Sequence, residues 1–313
     1  MSARNGFQSI EVDVDLTDAG NPSIRLSPTQ ISAFRKCALR YWFSYLLGWR
    51  EPPTPALAAG TIVHDTLEGL YRLPQPDRSF ENAWAIMGTI GKDLLLKPEY
   101  EHLGRGANRD DVRKRADLAL TGYFELEKPT EIEVDLKDIE SDVDAQLAGV
   151  LFHGRLDRRT RKPVDRVTDY KTGKKPTGAP LDDYVQQVMF YAAAINDGSD
   201  PGVEEVELLF LPDKQAVRRP VYPAAIERVT EVLVETRTQI DESFKTAKWL
   251  AQPSRLCSYC PFKPVCPAHQ KTSPPPGSAA SQQLLSQTGL QRKISAVAAE
   301  PNPLDLLPLE LSE

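Results

Sequence analysis

The chain has 313 residues, 41% of them hydrophobic and 26% charged, with a net charge of -6. That is the composition of a soluble globular protein, long enough for one large or two ordinary domains. No stretch approaches the ~20 apolar residues of a membrane span. Glu11, Asp13 and Asp15 interrupt the start of the chain, which excludes a signal-peptide core. The expected location is the cytoplasm. The negative net charge does not by itself point to a nucleic-acid partner.

Residues 1–22 read as a polar extension, with a domain expected over residues 23–270. Ser27-Pro28-Thr29-Gln30 is a helix start, with Ser27 as N-cap, Pro28 at N1 and Gln30 completing a capping box. Ile31, Phe34, Ala38, Tyr41 and Tyr45 follow at helical spacing. One helix through them sets Cys37 on the side of Phe34 and Tyr41. Pro52, Pro53 and Pro55 break the pattern, and a second helix is expected near Gly60 in GTIVHDTLEGLYRL. His64, Leu67, Glu68 and Tyr71 share a face of it. A lone histidine on such a face is more often structural than a ligand. Residues 75–128 read as helical, with Asp110 to Arg115 a solvated charged turn, and residues 131–136 alternate as a strand.

The segment from His153 to Lys175 reads HGRLDRRTRKPVDRVTDYKTGKK. Val150, Leu151 and Leu156 suggest one strand and Val167 to Lys171 a second, turning at Lys162-Pro163 and Asp165. Period-2 geometry puts Asp169 and Lys171 on one face and Tyr170 on the other. Asp157 then meets Asp169 across the ladder. Two such carboxylates repel, which favours a divalent cation between them, and Lys171 beside it can orient a water. Arg155, Arg158, Arg159, Arg161 and Lys162, with Lys171, Lys174 and Lys175, form an expected basic rim suited to a polyanion. A surface hairpin with ordinary charges is the equal alternative on these residues alone.

Residues 182–196 form a helix with Gln187 and Tyr191 one turn apart. Two strands follow, 203–211 and 216–222, turning at Pro212-Asp213-Lys214, then a long amphipathic helix over 224–250. The four cysteines are Cys37, Cys257, Cys260 and Cys266. In a cytosolic chain such a set is more consistent with metal ligands than disulfides. One remote thiol and a Cys260–Cys266 gap are atypical of a zinc ribbon but allowed for an iron-sulfur cluster, with zinc the competing reading. The expected role is structural, joining the chain's start to its end. From residue 271 the composition turns to Ser, Pro, Gly and Gln, read as a mostly disordered tail to 313 with an apolar island at 303–307.

Together, LSPTQISAFRKCALRYWFSYL, GTIVH, GRLDR, DYKTG, QVMFY and the C-terminal cysteines resemble the RecB-like branch of the PD-(D/E)XK nucleases. More narrowly, the chain resembles the iron-sulfur members, similar to the AddB nuclease domain and the CRISPR-adaptation exonucleases. The resemblance implies an α/β restriction-endonuclease-like fold: a central mixed sheet flanked by helices, with a C-terminal four-cysteine staple. It implies metal ligands at His64, Asp157, Asp169 and the Tyr170 carbonyl, a catalytic Lys171, and positioning roles for Gln187 and Tyr191. It also implies a 4Fe-4S cluster on Cys37, Cys257, Cys260 and Cys266. The activity implied is Mg2+- or Mn2+-dependent cleavage of DNA, at single-stranded ends, in repair, recombination or end processing, beside a helicase or other repair protein. A silent DNA-binding or scaffold subunit is the competing reading. One departure is Ala38, where the family commonly has proline after the first cysteine.

Overall fold

Ser27 Oγ accepts the N–H of Gln30 at 3.3 Å, and Gln30 Oε1 accepts the N–H of Ser27 at 2.9 Å. This reciprocal cap starts the first long helix as the sequence predicts. The protein is described here from a computed structural model, for residues 10–13, 24–197, 202–270 and 274–292. In chain order the elements are β1 (Ile10–Asp13), α1 (Pro28–Lys36), α2 (Ala38–Tyr41), β2 (Trp49–Arg50), α3 (Pro55–Tyr71), α4 (Phe80–Leu95) and α5 (Gly106–Leu126). Then come β3 (Ile139–Leu147), β4 (Val150–Thr160), β5 (Arg166–Lys171), α6 (Ala179–Asn196), β6 (Glu205–Phe210) and β7 (Gln215–Pro220). The last are α7 (Pro223–Thr246), β8 (Lys248–Ala251), α8 (Ala279–Gln287) and β9 (Gln291–Arg292). No helix among the described residues is long and apolar enough to cross a membrane.

These elements pack as two compact units. The larger comprises Ile24–Lys36 and Pro52–Thr246. Its five-stranded sheet runs β3-β4-β5-β6-β7, antiparallel except where β5 and β6 lie parallel, joined through α6. A parallel pair needs such a crossover, which accounts for the helix between them. Helices α3, α4 and α5 cover one face, where Leu67, Leu70, Tyr123 and Leu120 bury against Tyr170, Leu209 and Ile139. The expected mixed sheet flanked by helices is present.

One register position crosses this sheet as a polar row. Arg158, Thr168, Glu207 and Arg218 are successive Cα partners on β4, β5, β6 and β7. Arg158 Nη2 donates to Thr168 Oγ1, Thr168 Oγ1 donates to Glu207 Oε2, and Arg218 Nε donates to Glu207 Oε1. Arg158 also forks onto Glu127, the residue that caps the C-terminus of α5, at 2.7 Å for both bonds, and donates to the Tyr71 hydroxyl of α3. A buried charge is tolerated only when paired in this way.

The smaller unit comprises Met1–Ser23, Cys37–Glu51 and Ala247–Glu313. Its described residues include two antiparallel pairs, β1 with β8 and β2 with β9. Trp42 and Trp249, both fully buried, meet at 5.1 Å between ring centroids, and Phe43 stacks on Phe262 at 4.9 Å.

Several local expectations differ from the structure. The first helix does not run through Cys37, whose extended backbone (φ -169°, ψ 106°) ends α1 and opens α2. A one-residue break leaves the apolar periodicity nearly intact, so the pattern conceals it. The second helix begins at Pro55 rather than near Gly60. Thr54 Oγ1 caps it by accepting the Leu57 N–H, and Pro55 is its N1 residue rather than a breaker. Residues 132–135 are not a strand. The Ile132 carbonyl is taken by Arg78 Nη1 at 2.8 Å, while Ile132 and Val134 pack on the helical core. The strand starts at Ile139. Residues 248–250, expected at the end of the last long helix, belong to β8. Within the segment read as a tail, Ser278 caps α8 by accepting the Ser281 N–H, and Leu285 is buried. The apolar island at 303–307 lies outside the described residues.

Candidate active site

The β4–β5 ladder ends at Arg158 and Thr168. One step on, the same register sets Asp157 opposite Asp169, as the sequence predicts. Side chains take over there from the ladder. The Tyr170 N–H donates to Asp157 Oδ2 at 2.6 Å, and the Tyr170 carbonyl meets His64 Nε2 at 3.0 Å. That contact fixes the ring, turning Nδ1 to within 3.2 Å of Asp157 Oδ1 and 3.9 Å of Glu140 Oε1. Ligand atoms of His64, Glu140 and Asp157 all lie within 4.8 Å of one another. Tyr170 itself points into the core, 3% exposed.

Glu140 is the residue that sequence reasoning missed. Ile139 pairs with Arg158 and Ser141 with Leu156, so Glu140 stands opposite Asp157. Its φ is +43°, a left-handed conformation costing an ordinary residue about 1–2 kcal/mol. Strain of this kind gathers at functional sites. The misplaced strand at 131–136 hid it, because only the true β3–β4 register shows two acids facing each other.

The charges are mutually adjusted. Burial lowers the His64 pKa, but the charge and hydrogen bond of Asp157, helped by Glu140 and Asp169, outweigh burial and hold it well above the usual 6.5. Burial raises Glu140, opposed by its hydrogen bond with His64 and reinforced by Asp157. Burial also raises Asp169, with Lys171 pulling it down and Asp157 pushing it up.

Lys171 lies on the face of Asp169, as period 2 requires. Its Nζ is 2.7 Å from Asp169 Oδ2, donates to Gln187 Oε1 at 3.1 Å and sits 4.7 Å above the Tyr184 ring. Tyr184, one turn before Gln187 on α6, is a second residue the sequence reading passed over. Tyr191, one turn after Gln187, packs on β4: a Cβ added at Gly154 would fall 2.5 Å from its ring. That close approach explains the glycine of GRLDR.

The four arginines of the expected basic rim are paired with acids. Arg158 pairs with Glu127, Arg159 with Asp165, Arg161 with Asp138 and Arg155 with Asp142, all at 2.6–3.0 Å. Arg158 and Arg159 are buried. Arg158 and Arg159 brace the hairpin because burial demands partners, whereas Arg155 and Arg161 make more exposed pairs, a distinction that charge counting along the sequence cannot detect.

All four cysteines lie in the smaller unit, where Cys37 is joined by the C-terminal three. Burial raises the Cys260 thiol, with the Phe262 backbone and Arg40 opposing and Cys37 and Cys257 adding. Burial likewise pushes Cys266 up to about 11, with Cys37, Cys260 and Cys257 contributing. The thiols are thus close enough to feel one another. No three of them reach the compact spacing met by His64, Glu140 and Asp157.

The family model of the PD-(D/E)XK nuclease superfamily matches residues 25–267. The chain belongs to that superfamily. The span covers α1, the whole five-stranded sheet and the C-terminal cysteines. Fifteen solved chains match. Among them, the "Crystal structure of SSO0001" is 19% identical, covering 68% of this chain and 85% of that one with a TM-score of 0.28. No curated protein matches. Proteins of that superfamily are usually nucleases that use divalent metals.

The residues fit such a metal. Carboxylate oxygens with one imidazole nitrogen suit manganese or magnesium, and the crowded acids gain most from a dication. Manganese at ~100-fold its Kd should therefore stabilise the protein by about 2.7 kcal/mol, read as a rise in melting temperature. Asp157→Ala should abolish that rise, and Glu140→Gln should weaken manganese binding roughly tenfold. An unchanged manganese response in both variants would count against this donor set.

Proposed function

We propose that the protein is a metal-dependent deoxyribonuclease of the RecB-like branch, acting as an exonuclease on single-stranded DNA ends in repair, recombination or end processing. The observation that carries this is the convergence of His64, Asp157, Asp169 and Lys171 where β4 and β5 part. His64, Asp157, Asp169 and the Tyr170 carbonyl would hold the metal, with Glu140 as a further acid. A bound Mg2+ or Mn2+ would polarise the scissile phosphate and lower the pKa of the attacking water. The Tyr170 main chain orients two of the donors, its N–H gripping Asp157 and its carbonyl gripping His64. Lys171, aimed by Asp169, Gln187 and Tyr184, donates to the charge growing on the phosphate. Gln187 and Tyr191 act as positioning residues.

A time course on end-labelled single- and double-stranded DNA, with manganese, magnesium or EDTA, tests the reading. Metal-dependent release of mononucleotides or short products from the single strand is expected. No cleavage with either metal would refute it.

The same reading assigns a structural 4Fe-4S cluster to Cys37, Cys257, Cys260 and Cys266. The split ligand set, with Cys37 remote in sequence and a five-residue gap between Cys260 and Cys266, supports this over a zinc ribbon of two local pairs. Anaerobically purified protein should contain about four iron and four sulfide per chain, and Cys260→Ala should release them. Stoichiometric zinc without iron would overturn the assignment.

A further inference from the structure

With Arg158 and Arg159 tied up internally, looser cations of the larger unit lie elsewhere as well. A cleft of about 450 Å³ lies between α4 and α5, floored by Ile62 of α3. Its wall is apolar: Trp84 is 39% exposed and Leu96 73%. Lys92, Arg109 and Arg113 stand at the rim with one acid, Asp117. Arg113 lies 3.6 Å from Asp117 and Arg109 3.7 Å from Asp110. These are exposed pairs worth little and easily exchanged. Arg109 and Arg113 are one turn apart on α5, about 6 Å along the axis, a spacing on the scale of successive phosphates.

Gly88 adds an independent observation. It sits inside α4, where glycine costs about 1 kcal/mol relative to alanine. A Cβ there would meet nothing within 4 Å. Packing within the described residues does not demand this glycine, which leaves bare backbone on the cleft wall.

Resting on the nuclease reading above, we infer that the α4–α5 cleft is an accessory binding site for single-stranded DNA. A base stacks on Trp84 over the bare backbone at Gly88, and its flanking phosphates engage Lys92, Arg109 and Arg113. An aromatic platform beside a cationic track is the chemistry of sequence-tolerant single-strand binding. Ile62 and His64 are about 200° apart around α3. The cleft therefore lies behind the helix that carries His64, and a strand engaging both must pass an end of α3.

The test uses the full chain and an oligothymidylate of about 16 nucleotides, bound in EDTA so that cleavage does not intervene. Trp42, Trp49 and Trp249 are buried, so quenching of the solvent-exposed tryptophan emission reports on Trp84. Trp84→Ala, Gly88→Leu and the double charge reversal Arg109→Glu with Arg113→Glu should each weaken binding about tenfold or more, the scale of one lost stack. Gly88→Leu fills the cleft and favours the helix, so unchanged melting accompanies its loss of affinity. In manganese these variants should raise KM for the long strand while leaving kcat near the parent's. A parent that cleaves DNA, with all three variants binding as tightly as it does, would overturn the cleft and spare the nuclease reading. A parent that binds and quenches but never cleaves would do the reverse. Tight binding without Trp84 quenching would also overturn the cleft.

Discussion

Lys171→Ala should lower DNA cleavage by about 10²–10³-fold, the scale set by removing one donor aimed at developing transition-state charge. Three contacts hold its Nζ: Asp169 at 2.7 Å, Gln187 at 3.1 Å and the Tyr184 ring at 4.7 Å. The side chain is thus fixed before substrate arrives, and little reorganisation is needed during the reaction. Manganese binding should survive, because the amine is not among the proposed donors. Isothermal titration of the variant with manganese, beside single-turnover cleavage, separates the two effects. A variant that cuts like the parent, or that loses the metal, would show that Lys171 has another role. Gln187→Ala should reproduce a milder version, since Asp169 still steers the amine.

Arg158→Met should destabilise the protein by about 3–5 kcal/mol, because it strands the Glu127 carboxylate without its partner. For a unit of this size that is a drop in melting temperature on the order of 10 °C. The arginine is 1% exposed. It ties α3 through Tyr71, the C-terminal end of α5 through its cap Glu127, and β5 through Thr168. Those elements neighbour or carry His64, Asp157 and Asp169. Replacing both partners, Arg158→Met with Glu127→Leu, should recover much of the stability, since apolar substitutes of similar volume need no pairing. Equal destabilisation in the single and double variants would mean that packing volume, not charge pairing, sets the cost. Thermal melts of the four proteins of this cycle decide it.

How much of this was legible beforehand depends on the range of the interaction involved. The Asp157, Asp169 and Lys171 cluster could be read because a strand has period 2 and a hairpin has one register. Ser27 and Gln30 could be read as a cap because the bonds span three residues. The break at Cys37 could not, because one extended residue hardly disturbs a helical pattern. The alternation at 131–136 misled because Arg78, distant in sequence, supplies the hydrogen bond that a strand neighbour would have given. Glu140 appeared only with the β3–β4 register.

The sequence by itself determined the elements whose signals are local: the caps, the period-2 strands, the Pro212–Lys214 turn and the Gln187–Tyr191 helix face. It also set the order of motifs along the chain. Only the tertiary structure decided what those charges do. Arg155, Arg158, Arg159 and Arg161 look like a phosphate-binding rim in sequence, yet each ends on an acid of the same chain. Glu127, one of those acids, lies 31 residues away from its arginine. For the buried Arg158 and Arg159 desolvation is the physical reason. A charge buried by folding must find a partner wherever the fold brings one, and that distance in space is not written in the distance along the chain.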